Sequence, residues 1–225
     1  GPVSESYTRD AQVAELEGVQ LPWTAVRAAL ATDLDQDGDH DALALIEEEG
    51  GAARIVFALR DGDRFEQSRE IARLPVRPEL APCTIERAEF SALSASKAQA
   101  RFERSCGASK VLEPSTHVLL SIETTPRVLE SITQRPSGSE APFTLTFATL
   151  DSDADGHDDI ALTITPARPA APENTLQLVW FDRASGLVRD LREPETTLSA
   201  WALAARTLAS KSPEQAREKA AAVLS

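Results

Sequence analysis

Two stretches of the sequence concentrate aspartate at a regular spacing. The first runs from Asp33 to Asp41 and the second from Asp151 to Asp159; each has Asp at positions 1, 3, 5 and 9 of its nine residues and Gly at position 6. A hard cation such as calcium takes about six to eight oxygen ligands, which carboxylates at alternate positions of a tight turn can supply. Glycine at position 6 permits the sharp turn that such a loop needs. The two stretches therefore predict two calcium-binding loops.

Four other interpretations of these acidic stretches have to be weighed. An EF-hand shares positions 1, 3, 5 and 6 but needs glutamate at position 12 and flanking helices, whereas position 12 is Ala44 in one loop and Leu162 in the other. Zinc is disfavoured because the ligands are nearly all carboxylates; magnesium tolerates this ligand set but usually keeps several waters. Solvated acidic turns without metal are the remaining alternative, and a match at five positions in two separate loops argues against it.

An apolar stretch follows each acidic loop, Ala42–Ile46 after the first and Ile160–Ile164 after the second. A loop of the form Asp-x-Asp-x-Asp-Gly-x-x-Asp with such a strand resembles the FG-GAP or VCBS-type repeat, which builds propeller blades in integrin α-subunits and in many secreted bacterial proteins. The resemblance implies a β-hairpin calcium loop within a blade. It implies as ligands the carbonyls of Asp39 and His157 and the side chains of Asp33, Asp35, Asp37, Asp41, Asp151, Asp153, Asp155 and Asp159. Propellers of that family usually close with more blades than this chain could supply.

Runs of β-forming residues separated by turn signals dominate residues 23–192. The predicted strands are Ala25–Thr32, Ala42–Glu47, Arg54–Leu59, Phe65–Ile71, Thr84–Leu93, Ala98–Ser105, His117–Glu123, Arg127–Thr133, Phe143–Leu150, Ile160–Thr165, Thr175–Phe181 and Leu187–Asp190. The acidic loops are offset by 118 residues, and a further four-strand unit falls midway between them. The sequence thus predicts a mainly β fold of three four-stranded antiparallel blade-like units, residues 23–75, 83–135 and 142–192, as a partial propeller or a sandwich-like arc.

The two ends of the chain differ from this β region. Residues 1–22 are a lead segment, and after Pro194 the apolar spacing becomes helical. The residues that fall on one helical face are Leu198, Trp201, Ala205 and Leu208. A second helix is predicted to begin at Ser212, a suitable N-cap that is followed by Pro213. Residues 195–225 are therefore predicted to be a C-terminal helical segment.

The chain has two cysteines, Cys83 and Cys106, whose spacing fits no zinc pattern. The segment between them is predicted to form two strands around a turn at Ser94–Lys97. Such a hairpin brings its two ends together, so that one cysteine faces the other. A disulfide is therefore favoured over two free buried thiols, and it would indicate an oxidising compartment.

The composition limits the partners of this protein. Its 225 residues suffice for a hydrophobic core, and its formal net charge is −13. A surface this acidic repels phosphate backbones and anionic lipids, so nucleic acid is not expected as a partner. No apolar run approaches the roughly 20 residues that a membrane span requires. Cations are the small partners that the charge favours.

The sequence carries no recognisable nucleophile motif and no Gly-rich phosphate loop. His40 and His157 lie in the acidic loops and are predicted to be solvent-facing spacers, whereas His117 is predicted to be structural. We therefore expect a binding or scaffold module with a protein or glycan partner, as in cell adhesion, rather than an enzyme. The alternatives are a calcium-dependent hydrolase or lyase, which would need a separate concave site with perturbed titratable groups, or one domain of a larger adhesin.

The expected location is secreted, periplasmic or at the cell surface. A disulfide and the resemblance to secreted calcium-binding repeats both favour it. Gly1-Pro2 is typical of the remnant of a cleaved tag, and the sequence contains no Met. A signal peptide that was removed together with the natural N-terminus is compatible with this pattern.

Overall fold

The structure is a computed structural model, which describes residues 16–123, 125–134, 143–166, 176–183 and 186–189. Their strands are β1 (Val26–Thr32), β2 (Asp41–Glu47), β3 (Ala53–Ala58), β4 (Arg60–Asp61), β5 (Arg64–Phe65), β6 (Arg69–Leu74), β7 (Cys83–Ala92), β8 (Lys97–Cys106), β9 (Val111–Leu112), β10 (Ser115–Ser121), β11 (Arg127–Gln134), β12 (Phe143–Leu150), β13 (Asp159–Pro166), β14 (Leu176–Arg183) and β15 (Gly186–Arg189). The prediction of a mainly β protein is thus confirmed. The helices predicted within 195–225 lie outside the described residues.

The strands form three large antiparallel sheets and one small ribbon. The first sheet has the order β1-β2-β3-β6, the second has β11-β10-β8-β7 with β9 beside β8, and the third has β12-β13-β14-β15. The ribbon pairs β4 with β5. None of the sheets that the described strands build closes into a barrel. In each large sheet, the first two strands along the chain are neighbours, joined by one loop or turn.

The chain divides into two compact units, Gly1–Gln134 and Arg135–Ser225. The first unit contains the first and second sheets, and the second unit contains the third sheet. Each acidic loop therefore lies in a different unit, together with the strands that flank it.

The core of the first unit lies between its two sheets. Leu45 and Ile55 from the first sheet share one buried cluster with Phe102 and Leu120 from the second. The opposite face of the first sheet is also covered, because Ile46 and its neighbours pack in a second cluster that includes Leu16 and Val19 of the lead segment. This explains why β2 is almost continuously apolar: a strand buried on both faces has no solvent side on which polar residues would alternate.

Polar contacts also join the two sheets of the first unit. The guanidinium of Arg104 donates to the carbonyls of Gly51 (2.8 Å) and Leu74 (2.7 Å), both on the first sheet's side. In the reverse direction, Glu47 accepts a hydrogen bond from the backbone N–H of Ile85 at 2.9 Å. Burial lowers the pKa of Arg104, with an opposing effect from the charge of Glu47. These contacts hold the first and second sheets together at the end where the β7–β8 hairpin begins.

The predicted disulfide is confirmed. Cys83 and Cys106 are direct partners in the β7–β8 register and are bonded to each other. The hairpin turn between them falls at Ser94–Lys97, where the backbone N–H groups of both Leu93 and Ser94 donate to the carbonyl of Lys97. A bridge that closes a loop of this size stabilises the folded chain by roughly 3 kcal/mol in the chain-entropy model.

The observed strands differ from the predicted ones in one place in the first sheet. Phe65–Ile71 was predicted as a single strand, but β5 ends at Phe65 and β6 begins only at Arg69. Gly62 and Asp63 form the turn of a two-residue ribbon, in which Arg60 pairs with Phe65 and Asp61 with Arg64. The chain then needs a short connection before it returns to pair with β3.

Candidate metal centres

The two acidic loops occupy equivalent places in two different sheets. Asp33–Asp41 connects β1 to β2, and Asp151–Asp159 connects β12 to β13. In each case the ninth residue of the loop is the first residue of the second strand, and it pairs with the last residue of the first strand: Asp41 with Thr32 and Asp159 with Leu150. The spacing that the sequence repeats is thus repeated in the strand register.

The backbone takes the same turn in both loops. Position 4 is left-handed although it is not glycine, with φ of 64° at Gln36 and 60° at Ala154. Position 6 is left-handed as well, with φ of 95° at Gly38 and 85° at Gly156. Left-handed conformations are costly for residues with a side chain and are readily taken by glycine. Two such positions in each loop, matched across 118 residues, indicate one loop conformation used twice.

The aspartate at position 1 holds this turn in place. Asp33 accepts hydrogen bonds from the backbone N–H groups of Asp37 (3.2 Å) and Gly38 (3.1 Å). Asp151 accepts the corresponding bonds from Asp155 (3.1 Å) and Gly156 (3.1 Å).

The carboxylate at position 5 repeats the same pattern. It accepts from the N–H of position 7, which is Asp39 (2.8 Å) in the first loop and His157 (2.9 Å) in the second. The loops are therefore wound around their own carboxylates.

The aspartate at position 9 is buried completely in both loops, at 0% exposure for Asp41 and for Asp159. Both oxygens of Asp41 accept backbone hydrogen bonds, from Leu34 (2.6 Å) and Arg60 (2.7 Å). Asp159 accepts the equivalent bonds from Ser152 (3.0 Å) and Asp182 (3.1 Å). Burial raises the pKa of each of the two carboxyls, an effect that the backbone N–H bonds oppose and the neighbouring aspartates increase. The position 9 aspartate thus ties its loop to the backbone just after β3 in the first case and near the end of β14 in the second.

Carboxylates converge in each loop. The groups with oxygens within 4.8 Å of one another are Asp33, Asp35 and Asp37 in the first loop and Asp151, Asp153 and Asp159 in the second. The donors are all oxygens, which is the chemistry that calcium and magnesium prefer over zinc. The residues therefore fit a hard divalent cation. Asp39 is half-buried, and His40 and His157 are exposed, as expected for spacers.

One residue outside the predicted set enters the second loop. Arg183, at the end of β14, donates from Nη1 to Asp155 Oδ2 at 3.0 Å and from Nη2 to Asp153 Oδ2. Its guanidinium also lies over the ring of Phe181, 4.7 Å from the centroid. These contacts raise the pKa of Arg183, mainly through the hydrogen bond to Asp153. Sequence reasoning missed this arginine because it lies 30 residues from Asp153 in the chain and only strand pairing brings it close.

The second sheet has a lysine where the other sheets have the buried aspartate. Lys97 is the first residue of β8, and its side chain is 0% exposed. Its ammonium lies 3.4 Å from Ser96 Oγ and 3.8 Å from Glu123 Oε1. The sequence predicted no acidic loop in this four-stranded repeat, and the short turn at Ser94–Lys97 stands in the place of that loop. His117 is also buried in this sheet, with Nδ1 2.8 Å from Gln99 Nε2, which is compatible with the predicted structural role.

Comparisons of the chain with protein-family models, with curated proteins and with solved structures each found no match. No helix within the described residues is long and apolar enough to cross a membrane.

Proposed function

We propose that this protein is a calcium-binding β-repeat module of the FG-GAP or VCBS type, acting as a secreted or cell-envelope binding or scaffold protein. The observation that supports this proposal best is the agreement between the two loops. They share aspartate spacing, two left-handed backbone positions and the hydrogen bonds of positions 1, 5 and 9. Acidic turns with no common task would have no reason to share both this spacing and this conformation.

The residues that would hold the ions are those that the motif marks. In the first loop they are the side chains of Asp33, Asp35, Asp37 and Asp41 and the carbonyl of Asp39; in the second they are the side chains of Asp151, Asp153, Asp155 and Asp159 and the carbonyl of His157. A bound calcium ion supplies positive charge to a group of carboxylates that otherwise repel one another. In this proposal, each bound ion makes its loop rigid at the end of its sheet.

The three large sheets correspond in this proposal to three blade-like repeats. Each has four main strands, which are interrupted along the chain by the β4–β5 ribbon in the first sheet and by β9 in the second. Each sheet opens its second strand with a buried charged residue: Asp41, Lys97 or Asp159. Only the first and third repeats carry an acidic loop. A partner, whether protein or glycan, would bind a surface whose loops calcium has ordered.

Thermal unfolding with and without calcium tests the proposal. An ion that binds only the folded state adds about 2.7 kcal/mol per site at a hundredfold excess over Kd. We expect millimolar calcium to raise Tm relative to the protein in chelator, and the double variant Asp35→Ala/Asp153→Ala to lose that shift. Magnesium at equal concentration serves as the control for cation type. Superimposable curves in chelator and calcium would refute the proposal.

A further inference from the structure

The backbone N–H that donates to the position 9 aspartate is followed in the chain by residues of opposite charge in the two cases. Asp41 accepts its second bond from the N–H of Arg60, and Asp159 accepts the equivalent bond from the N–H of Asp182. The next residue is Asp61, in β4 of the small ribbon, in the first case and Arg183, in β14 of the third sheet, in the second. Equivalent backbone positions thus carry a negative charge in the first case and a positive charge in the second.

Arg183 uses its charge within the loop. Its guanidinium binds Asp153 and Asp155, two of the four carboxylates assigned to the second ion, and the side chain is only 34% exposed. In the first loop, the described residues form no ion pair between a loop aspartate and a lysine or arginine; the side chain of Arg60 instead donates to the carbonyl of Gly62 at 2.8 Å. Two loops with one backbone conformation thus present different electrostatic environments.

We propose that Arg183 is a tethered cation that competes with calcium for the second loop and makes it the weaker of the two sites. The inference rests on the proposed calcium binding and goes beyond it, since it ranks the two sites and names the residue that sets their difference. The guanidinium occupies Oδ2 of both Asp153 and Asp155, so an ion that binds through those oxygens must displace it. An ion that binds through the other carboxylate oxygens is still repelled by a like charge held in the same loop. A side chain on the same sheet is always present at high local concentration, so it competes at every calcium level.

The size of the effect follows from the exposure of Arg183. Ion pairs with access to water are screened, so each of the two pairs that Arg183 makes contributes modestly. We therefore expect its removal to lower the Kd of the second site by about three- to tenfold.

Calcium titration calorimetry in the Asp35→Ala background isolates the second loop, since the first loop then lacks a ligand. We expect Arg183→Gln to tighten this site by about three- to tenfold and Arg183→Lys, which keeps the charge but loses the forked geometry, to have a smaller effect. Arg87→Gln, an exposed arginine in the second sheet, removes the same net charge and should leave Kd unchanged. The reciprocal change Asp61→Arg, made in the Asp153→Ala background, should weaken the first site.

A second readout does not depend on calcium affinity. In chelator, Arg183→Gln should lower Tm more than Arg87→Gln does, because it leaves the loop carboxylates without their cation; in saturating calcium the two variants should melt alike. An equal Kd with and without Arg183 would overturn the inference while the proposed function stood. Absence of calcium binding by the wild type and by Arg183→Gln would overturn both.

Discussion

Asp41 and Lys97 occupy equivalent places in the two sheets of the first unit with opposite charges. Each is the first residue of the second strand in its sheet, and each side chain is fully buried. The aspartate receives two backbone N–H groups, whereas the lysine lies near the carboxylate of Glu123 at 3.8 Å. A buried charge needs partners of this kind, because leaving it unpaired in the interior is costly. The sheet with the long acidic loop has the aspartate at this position, and the sheet with the short turn has the lysine.

The first prediction concerns the two buried aspartates as acceptors. Asp41→Asn and Asp159→Asn replace one accepting oxygen by an NH2 group, which faces a backbone N–H and cannot accept its hydrogen bond. We expect each change to lower the free energy of unfolding by about 1–3 kcal/mol in calcium-free buffer. Urea denaturation measures this loss. Asp63→Asn, at an exposed position near the ribbon, should change stability by less than about 0.5 kcal/mol, and an equal effect of all three would contradict the anchoring role.

The second prediction separates backbone strain from a steric clash at two adjacent glycines. Gly50 and Gly51 both have positive φ, 78° and 88°, but only a Cβ on Gly51 would meet another atom, 2.4 Å from the carbonyl oxygen of Cys83. Gly50→Ala should therefore cost only the strain of a left-handed alanine, about 1–2 kcal/mol. Gly51→Ala should cost clearly more, since the backbone of Cys83 must move.

Chemical denaturation of the two alanine variants, each compared with the wild type, measures the difference. An equal loss of unfolding free energy in both variants would contradict the close approach of Gly51 to the backbone of Cys83.

Local sequence pattern predicted most strands because it reflects local burial. Phe143–Leu150 was predicted with the bounds that β12 has, since its alternating apolar and threonine residues match a strand with two different faces. The acidic loops were predictable for a similar reason: all their candidate ligands lie within nine consecutive residues. Contacts between residues that lie far apart in the chain could not be predicted from the sequence.

Arg183 and Lys97 illustrate that limit. Arg183 reaches the second loop only because β14 pairs with β13. From the sequence alone, a charged residue in a strand would be predicted to be exposed to solvent. Lys97 would ordinarily be expected in solvent, yet it is buried beside Ser96 and near Glu123. If the large sheets are aligned by strand register rather than by the acidic motif, Lys97 falls at the position of Asp41. Such an alignment would have drawn attention to both residues.

The third prediction is a pH dependence that originates away from the loops. Burial by itself would raise the pKa of Glu103, but hydrogen bonds from the Ser115 hydroxyl (2.6 Å) and the Arg101 guanidinium (3.1 Å) outweigh burial, so the pKa lies below its usual 4.5. A carboxyl with a lowered pKa in the folded state contributes stability above the unfolded-state pKa and loses it as pH falls through the folded-state value. Glu103 should therefore stabilise the protein at neutral pH by about 1 kcal/mol, an effect that disappears below pH 4.5.

Glu103→Gln tests this contribution. The variant should be less stable than the wild type at pH 7 and should approach it as the pH is lowered, because the wild-type carboxyl is then protonated. Glu17→Gln, at an exposed position outside this hydrogen-bond network, serves as the matched control. A difference between Glu103→Gln and the wild type that stayed constant from pH 7 to pH 3 would contradict the linkage.

Calcium titration calorimetry of the wild type, Asp35→Ala and Asp153→Ala tests the central claim most directly. Each loop supplies all its candidate ligands from nine consecutive residues, and the two loops belong to separate units, so the sites should be independent. At calcium up to millimolar concentrations we expect a stoichiometry of two ions for the wild type and one for each variant. No binding by the wild type would contradict the account, and loss of both ions through either single substitution would contradict the independence of the two loops.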